Sequence, residues 1–316
     1  DPTVIGDSGV INRTIGEGPI DRINFLLPIQ RLICGAQGNG FSVRSSAFDE
    51  IITPSNLNIK AITTQGSDNI AGVKVDIIGI YVQQGGTRLF EFAYNPDIFD
   101  YQTSELTVLV PEQCIVGVTK LAVQRKLDTR IHCVLEDGTV GLLVYDKDEQ
   151  VTAWIDIVSD GASGLIEDVV VLPGTVEDQV YYVVNRTISG VTKRYVEKWA
   201  LESECHPRNG TTDLCKIADS FILYDSVPTT TISGLSSLEA EDVVVWADGK
   251  DVGTHTVSSG AITLAVAASR VVVGLPYTAQ FKSTKLAYAA EGGTAINMYK
   301  RSPQLGLVLI NTHSYG

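Results

Sequence analysis

The residues of this 316-residue chain that could do chemistry are four histidines, five cysteines and a surplus of carboxylates. His132 alternates with apolar neighbours in Ile131-His-Cys-Val-Leu135, the setting of a histidine packed in a core. His255 falls in a hairpin, His206 in a polar loop and His313 close to the last residue. None stands beside a nucleophile: there is no Gly-x-Ser-x-Gly elbow and no cysteine with histidine in a catalytic context. Cys34, Cys114 and Cys133 sit in apolar strand-like runs, which reads as buried free thiols. Cys205 and Cys215 bracket the polar loop His206-Pro-Arg-Asn-Gly-Thr-Thr-Asp-Leu214. They could close a ten-residue disulfide clip, or join His206 as three metal ligands. Zinc takes four ligands in tetrahedral array, and no fourth is near.

Other patterns have simpler readings. Gly35-Ala-Gln-Gly-Asn-Gly40 is glycine-rich but lies between two strands, whereas a phosphate cradle needs a helix N-terminus behind it. It is expected to be a hairpin. Asp146-Lys-Asp-Glu149 lacks the glycine bend and distal glutamate of a calcium loop, so a solvated hairpin tip is expected. Arg125-Lys126 and Lys193-Arg194 are too sparse for a nucleic-acid footprint, although each could pair with acidic residues of a neighbouring subunit. Carboxylates are numerous enough for a glycosidase. Sialidase-like propellers, however, repeat a Ser-x-Asp-x-Gly-x-x-Trp turn, which Ser159-Asp-Gly-Ala-Ser-Gly164 only grazes. The expectation is no catalytic residue, no cofactor and no metal.

Charge and composition bound the rest. Against 24 Lys and Arg stand 37 Asp and Glu, a formal charge of −13. Counterion release from DNA needs clustered cations, so tight nucleic-acid binding is excluded; an acidic tube wall would instead let DNA slide past. With 44% hydrophobic and 19% charged residues the chain should bury a core. Its apolar runs are strand length, far short of the ~20 residues of a membrane helix. The start at Asp1-Pro2 without Met, and the end at Tyr315-Gly316, read as a piece of a longer protein.

The elements that would hold these residues are strands. Period-two alternation dominates, with turn signals every eight to twelve residues, so the expected fold class is all-β. Four hairpins recur: Leu32–Val43, Ile80–Phe92, Ile131–Val144 and Val180–Val196. Their turn glycines, Gly38, Gly86, Gly138 and Gly190, are spaced 48, 52 and 52 residues apart, as four-stranded propeller blades require. A β-sandwich is the competing architecture. In the third repeat the expected strands are Gly117–Gln124, Arg130–Leu135, Val140–Tyr145 and an edge strand Thr152–Val158. The domain reading is an N-terminal segment 1–20, propeller blades 21–200, a connector 201–224, a small β insert 225–280, and a β segment 281–316 returning to the propeller. That last segment carries strand-like Lys285–Ala289, Ala295–Tyr299 and Leu305–Asn311. Within the insert, Asp248-Gly249 marks a hairpin after Val243–Ala247, two strands flank Ser258-Ser-Gly260, and Val271–Val273 forms another. Its core is expected around Leu235, Leu238, Val244, Trp246, Ile262 and Val272.

The insert also carries a resemblance. A threonine run at Thr229–Thr231, the turn Ile232-Ser-Gly-Leu235, the hairpin Ala247-Asp-Gly249 and the exit Gly274-Leu-Pro-Tyr277 follow one another in order. This series resembles the small β insert of the tail nozzle and hub proteins of short-tailed bacteriophages (tail tubular protein B-like). Phe41–Pro54, Gln83–Tyr94, Glu136-Asp-Gly-Thr139, Val151-Thr-Ala-Trp154 and Asn185–Glu197 extend the likeness over most of residues 20–280. It implies a hexameric tube of propeller-bearing subunits in the virion tail, assembled in the bacterial host cytoplasm. The implied partners are copies of itself, the head-to-tail adaptor, tail fibre or spike proteins, and viral DNA that passes without specific binding; no membrane is implied. That family has no catalytic residues to carry over. The alternative function is a host-receptor-binding or glycan-cleaving tail protein.

Overall fold

The computed structural model describes residues 6–15, 21–47, 50–159, 163–205, 212–216, 218–281, 289–290, 293–294 and 306. His206, His313 and the strands expected at 295–299 and 305–311 lie outside them, Gly306 apart, as does all of 285–289 except Ala289.

The chain is all-β and builds its sheets one after another. The first is an antiparallel meander of β1 (Ile23–Pro28), β2 (Leu32–Ala36), β3 (Gly40–Ser45) and β4 (Leu57–Thr63). The second comprises β5 (Val73–Val75), β6 (Ile78–Val82), β7 (Leu89–Asn95) and β8 (Asp100–Glu105). The third comprises β9 (Val118–Gln124), β10 (Arg130–Leu135), β11 (Val140–Asp146) and β12 (Val151–Ile157). The fourth differs from expectation, since among the described residues it has only three strands: β13 (Leu165–Leu172), β14 (Gln179–Ile188) and β15 (Val191–Lys198). After Lys198 the chain enters a short helix, Glu202–Cys205, and the next described sheet begins at Asp219.

Gly38, Gly86, Gly138 and Gly190 all sit in the turn joining the second and third strands of their sheets. Two of them show why glycine is required. Gly86 and Gly138 have φ of +77° and +81°, a region that side chains disfavour. The next sheet's chain also crosses these tips: Val118 N–H donates to the Gly86 carbonyl and Ile166 N–H to the Gly138 carbonyl, each at 2.8 Å. A Cβ at Gly138 would stand 2.9 Å from the Leu165 Cα.

The sheets stack in series, so their middle strands are buried on both faces and read as near-continuous apolar runs. Phe25, Ile33, Tyr81 and Phe92 fill the space between sheets one and two. Ile80, Leu89, Ile131 and Leu143 fill that between two and three. Val134, Val140, Val169 and Val184 fill that between three and four. Along β10 the two faces separate cleanly, Ile131 and Cys133 going to one neighbour and His132 and Val134 to the other. The outermost β12 is exposed along most of its length, as an edge strand should be.

The fifth sheet has the order β16-β19-β17-β18, with β16 (Asp219–Ser233), β17 (Asp242–Ala247), β18 (Lys250–Thr256) and β19 (Ala261–Leu275). It starts at Asp219, six residues before the expected boundary of the insert. Asp248 and Gly249, both at positive φ, make the expected hairpin. The separate strand expected at 271–273 is instead the end of β19, because nothing between Gly260 and Gly274 interrupts extension. The core contains Leu235, Leu238 and Ile262 as expected. Val244, Trp246 and Val272 do not belong to it: Val243, Val245, Ala247, Val271 and Val273 point inward, and Trp246 faces Val272 on the opposite side. A one-residue shift in a period-two pattern exchanges the faces. Two further strands, β20 (Ala289–Ala290) and β21 (Gly293–Thr294), form a small ladder.

Candidate functional site

The titratable side chains converge on the junctions between consecutive sheets. His132, on β10, is fully buried against sheet four. Its Nδ1 lies 2.6 Å from the Tyr182 hydroxyl and its Nε2 lies 3.3 Å from Gln124 Oε1. Gln124 donates its own amide N–H to the Lys126 carbonyl, which fixes its oxygen toward the ring as an acceptor. The imidazole is therefore the neutral Nε2–H tautomer, and Tyr182 donates to Nδ1. Burial, aided by the charge of Arg130, lowers the His132 pKa to about 4. The Trp199 ring packs edge-on at 5.4 Å. With no exposed surface and both ring nitrogens held by Tyr182 and Gln124, His132 is the packed histidine its alternation suggests.

Three carboxylates also sit at these junctions. Asp100 joins sheets one and two: it accepts from Ser42 Oγ at 2.9 Å and from Arg31 at 2.6 Å. Glu91 joins two and three, accepting from Lys147 at 2.7 Å, from Ser104 at 2.7 Å and from the Tyr145 hydroxyl. Asp178 joins three and four, accepting the backbone N–H groups of Arg125 at 2.8 Å and Lys126 at 3.0 Å. For each, burial pushes the pKa up, and these donors and cations outweigh it, leaving the carboxyl below its ordinary range.

A buried cation ties sheet four to the fifth sheet. Arg186, on β14, is 1% exposed. Its Nε and Nη2 bind the two oxygens of Glu197 at 2.7 Å each, and Nη2 also reaches Asp219 Oδ1 at 2.9 Å. Ser159 Oγ donates to Asp219 and Ser220 Oγ to Glu197. Because Asp219 opens β16, this fork sets where the fifth sheet leaves the stack.

Sequence reading gave none of Glu91, Asp100, Asp178 or Arg186 a role. The available signal was a charge inside a strand that is otherwise apolar, as in Phe90-Glu91-Phe92.

The remaining candidates resolve plainly. All five thiols are free. Cys34, Cys114 and Cys133 are buried and their pKa values are raised by burial, that of Cys114 to about 12. Cys215 Sγ donates to the Cys205 carbonyl at 3.0 Å, and Cys205 Sγ points at the Lys216 carbonyl at 3.8 Å. Among the described residues no group of three His, Cys, Asp or Glu could hold a metal. Asp146 accepts from the backbone N–H groups of Asp148 and Glu149, which makes that stretch a self-capped turn. Two basic residues that could have paired with a neighbouring subunit have partners inside the chain: Arg125 with Asp76 and Arg194 with Glu167. Among the described residues no helix is long and apolar enough to cross a membrane.

No known protein family and no curated protein matches the chain.

Proposed function

We propose that this chain is a structural subunit of a short-tailed bacteriophage tail, a nozzle or hub component without catalytic activity. The ordered series from Thr229 to Tyr277, with its likeness to the nozzle insert, carries the reading. Its finer fold is an array of consecutive propeller blades with the fifth sheet as the inserted module. Supporting this are the serial stacking, the equivalent hairpin tips, and first strands β5, β9 and β13 that lie beside one another. The use made of the titratable groups also supports a structural role: His132, Glu91, Asp100, Asp178 and Arg186 are spent on contacts within the chain.

In this reading the subunits form a hexameric ring around the DNA path, below the head-to-tail adaptor and in contact with fibre or spike proteins. The excess of acidic residues suits a conduit that must not hold the polymer it passes. Cryo-EM of purified virions, with mass spectrometry of their proteins, tests it: a ring coaxial with the tail is expected. Peripheral trimers would assign receptor binding instead. Turnover of capsule or lipopolysaccharide, abolished by a single Asp or Glu substitution, would overturn the non-enzyme reading.

A further inference from the structure

The connector between sheet four and the fifth sheet is anchored on both sides, and two thiols stand where its halves meet. One half is the helix Glu202–Cys205, which is held to the stack. The Glu202 N–H donates to the Glu177 carboxylate at 2.8 Å, and the Glu202 side chain takes Arg130 of β10 at 3.0 Å. The other half, residues 212–216, is held to the fifth sheet. There the Trp246 indole N–H donates to the Thr212 carbonyl at 2.7 Å, and Arg270 binds Asp213 at 2.8 Å.

Three contacts set the halves side by side. Cys215 Sγ donates to the Cys205 carbonyl at 3.0 Å, Cys205 Sγ lies 3.8 Å from the Lys216 carbonyl, and Lys216 Nζ pairs with Glu204 at 2.6 Å. Each sulfur rests against the stretch of backbone that carries the other. A disulfide needs its Cα atoms within about 6.8 Å, which two backbones facing each other in this way can meet. The remaining cysteines are placed differently. Cys34, Cys114 and Cys133 are at most 4% exposed, whereas Cys205 is half-buried and lines a cavity of about 220 Å³.

We infer that Cys205 and Cys215 are a thiol–disulfide pair, free in a reducing surrounding and bonded to each other when a small disulfide is supplied, and that the bond fastens the fifth sheet to the stack. The Cys205 thiolate attacks one sulfur of the small disulfide and releases a first small thiol. Cys215 then gives up its proton and attacks the Cys205 sulfur, releasing the second. Two protons and two electrons leave the protein, and the small disulfide becomes two thiols. The step requires an oxidising surrounding, not the tail assignment. Burial, and then the neighbouring Cys215, raise the Cys205 pKa to about 11. Thiolate is therefore scarce near neutrality, and the bond forms about tenfold faster for each unit of pH gained.

The test is oxidation of the whole chain, reduced and freed of reductant, with oxidised glutathione at about pH 8.5. Alkylation, tryptic digestion without reduction and mass spectrometry follow. Trypsin cuts after Arg208, between the two cysteines, so the bond appears as residues 199–208 joined to residues 209–216. Free thiols should fall from five to three. Oxidation should raise the melting temperature by about 5 °C in the parent and leave it unchanged in Cys215→Ser, whose hydroxyl still donates to the Cys205 carbonyl. Cys205→Ser should behave as Cys215→Ser does. Glutathione retained on Cys205 with no joined peptide, a bond through Cys34, Cys114 or Cys133, or no loss of thiol would overturn the pairing. A joined peptide with no rise in melting temperature, or an equal rise in the serine variants, would overturn the fastening.

Discussion

Arg186→Met should uncouple sheet four from the fifth sheet. Methionine keeps much of the arginine stem's apolar contact, so the substitution chiefly removes the charge. Glu197 and Asp219, each with a side chain only 20% exposed, then lose their shared cation. Breaking a buried pair from one side costs about 3–5 kcal/mol, and the partial exposure of both carboxylates favours the lower end. A loss of about 3 kcal/mol raises the opening equilibrium roughly 100-fold. Hydrogen exchange read by mass spectrometry is the suitable assay, because it localises the loss. Faster exchange should be confined to β14, β15 and the start of β16, with β2, β3, β6 and β7 unaffected. Urea unfolding followed by tryptophan fluorescence supplies the total. Combining Arg186→Met with Glu197→Gln and Asp219→Asn should recover most of the stability, since a neutral set no longer carries uncompensated charge. A loss under about 1 kcal/mol, or exchange that rises equally in all sheets, would refute the clamp.

Two further outcomes concern the other junctions. The unfolded chain takes up a proton on His132 near the ordinary value of 6.5, whereas the folded chain holds it neutral down to about 4. Stability should therefore fall as the pH drops through that window, by at most about 3 kcal/mol, and His132→Gln should remove that slope in pH-dependent urea titrations. Glu91, Asp100 and Asp178, with lowered pKa values, contribute above the ordinary carboxylate range and lose their contribution only at lower pH, so the two windows separate. Gly138→Ala and Gly190→Ala place alanine at nearly the same φ, +81° and +75°. Only Gly138 has the next sheet against it, while a Cβ added at Gly190 would meet nothing described within 4 Å beyond its chain neighbours. The Gly138 variant should therefore unfold with about 1–3 kcal/mol less stability than the Gly190 variant, and equal melting curves would show that the crossing strand does not constrain the tip.

What the sequence makes legible follows from how local each signal is. Alternation in Ile131–Leu135 and the turn at Asp137-Gly138 place β10 and β11 within a residue or two, because period and turn chemistry act over neighbouring positions. Val243-Val-Val-Trp-Ala247 gives the strand but not its inward face: every residue is apolar, so only packing against Ile232 and Ile262 chooses the odd positions. That sheet four has three strands among the described residues is equally invisible, as is the contact by which Arg186 fastens Asp219.

The junction chemistry was unreadable for a related reason, and its geometry suggests how to read it. In a chain that stacks one sheet per repeat, positions facing each other across a junction lie about one period apart in sequence. Most of the contacts follow this: His132 meets Tyr182 at a separation of 50, Arg125 meets Asp178 at 53, Glu91 meets Tyr145 at 54, and Ser42 meets Asp100 at 58, whereas Arg31, in the turn before β2, meets Asp100 at 69. The first four separations follow the 48–52-residue spacing of the tip glycines, which fixes the period without any knowledge of the partners. A polar residue inside an apolar strand should then be matched against donors and acceptors one period away, not against its sequence neighbours. By that rule Glu91 points to Tyr145 and Lys147, and His132 to Tyr182. Arg186 breaks the rule, meeting Asp219 after only 33 residues, and it does so where the stacked series ends and the fifth sheet begins.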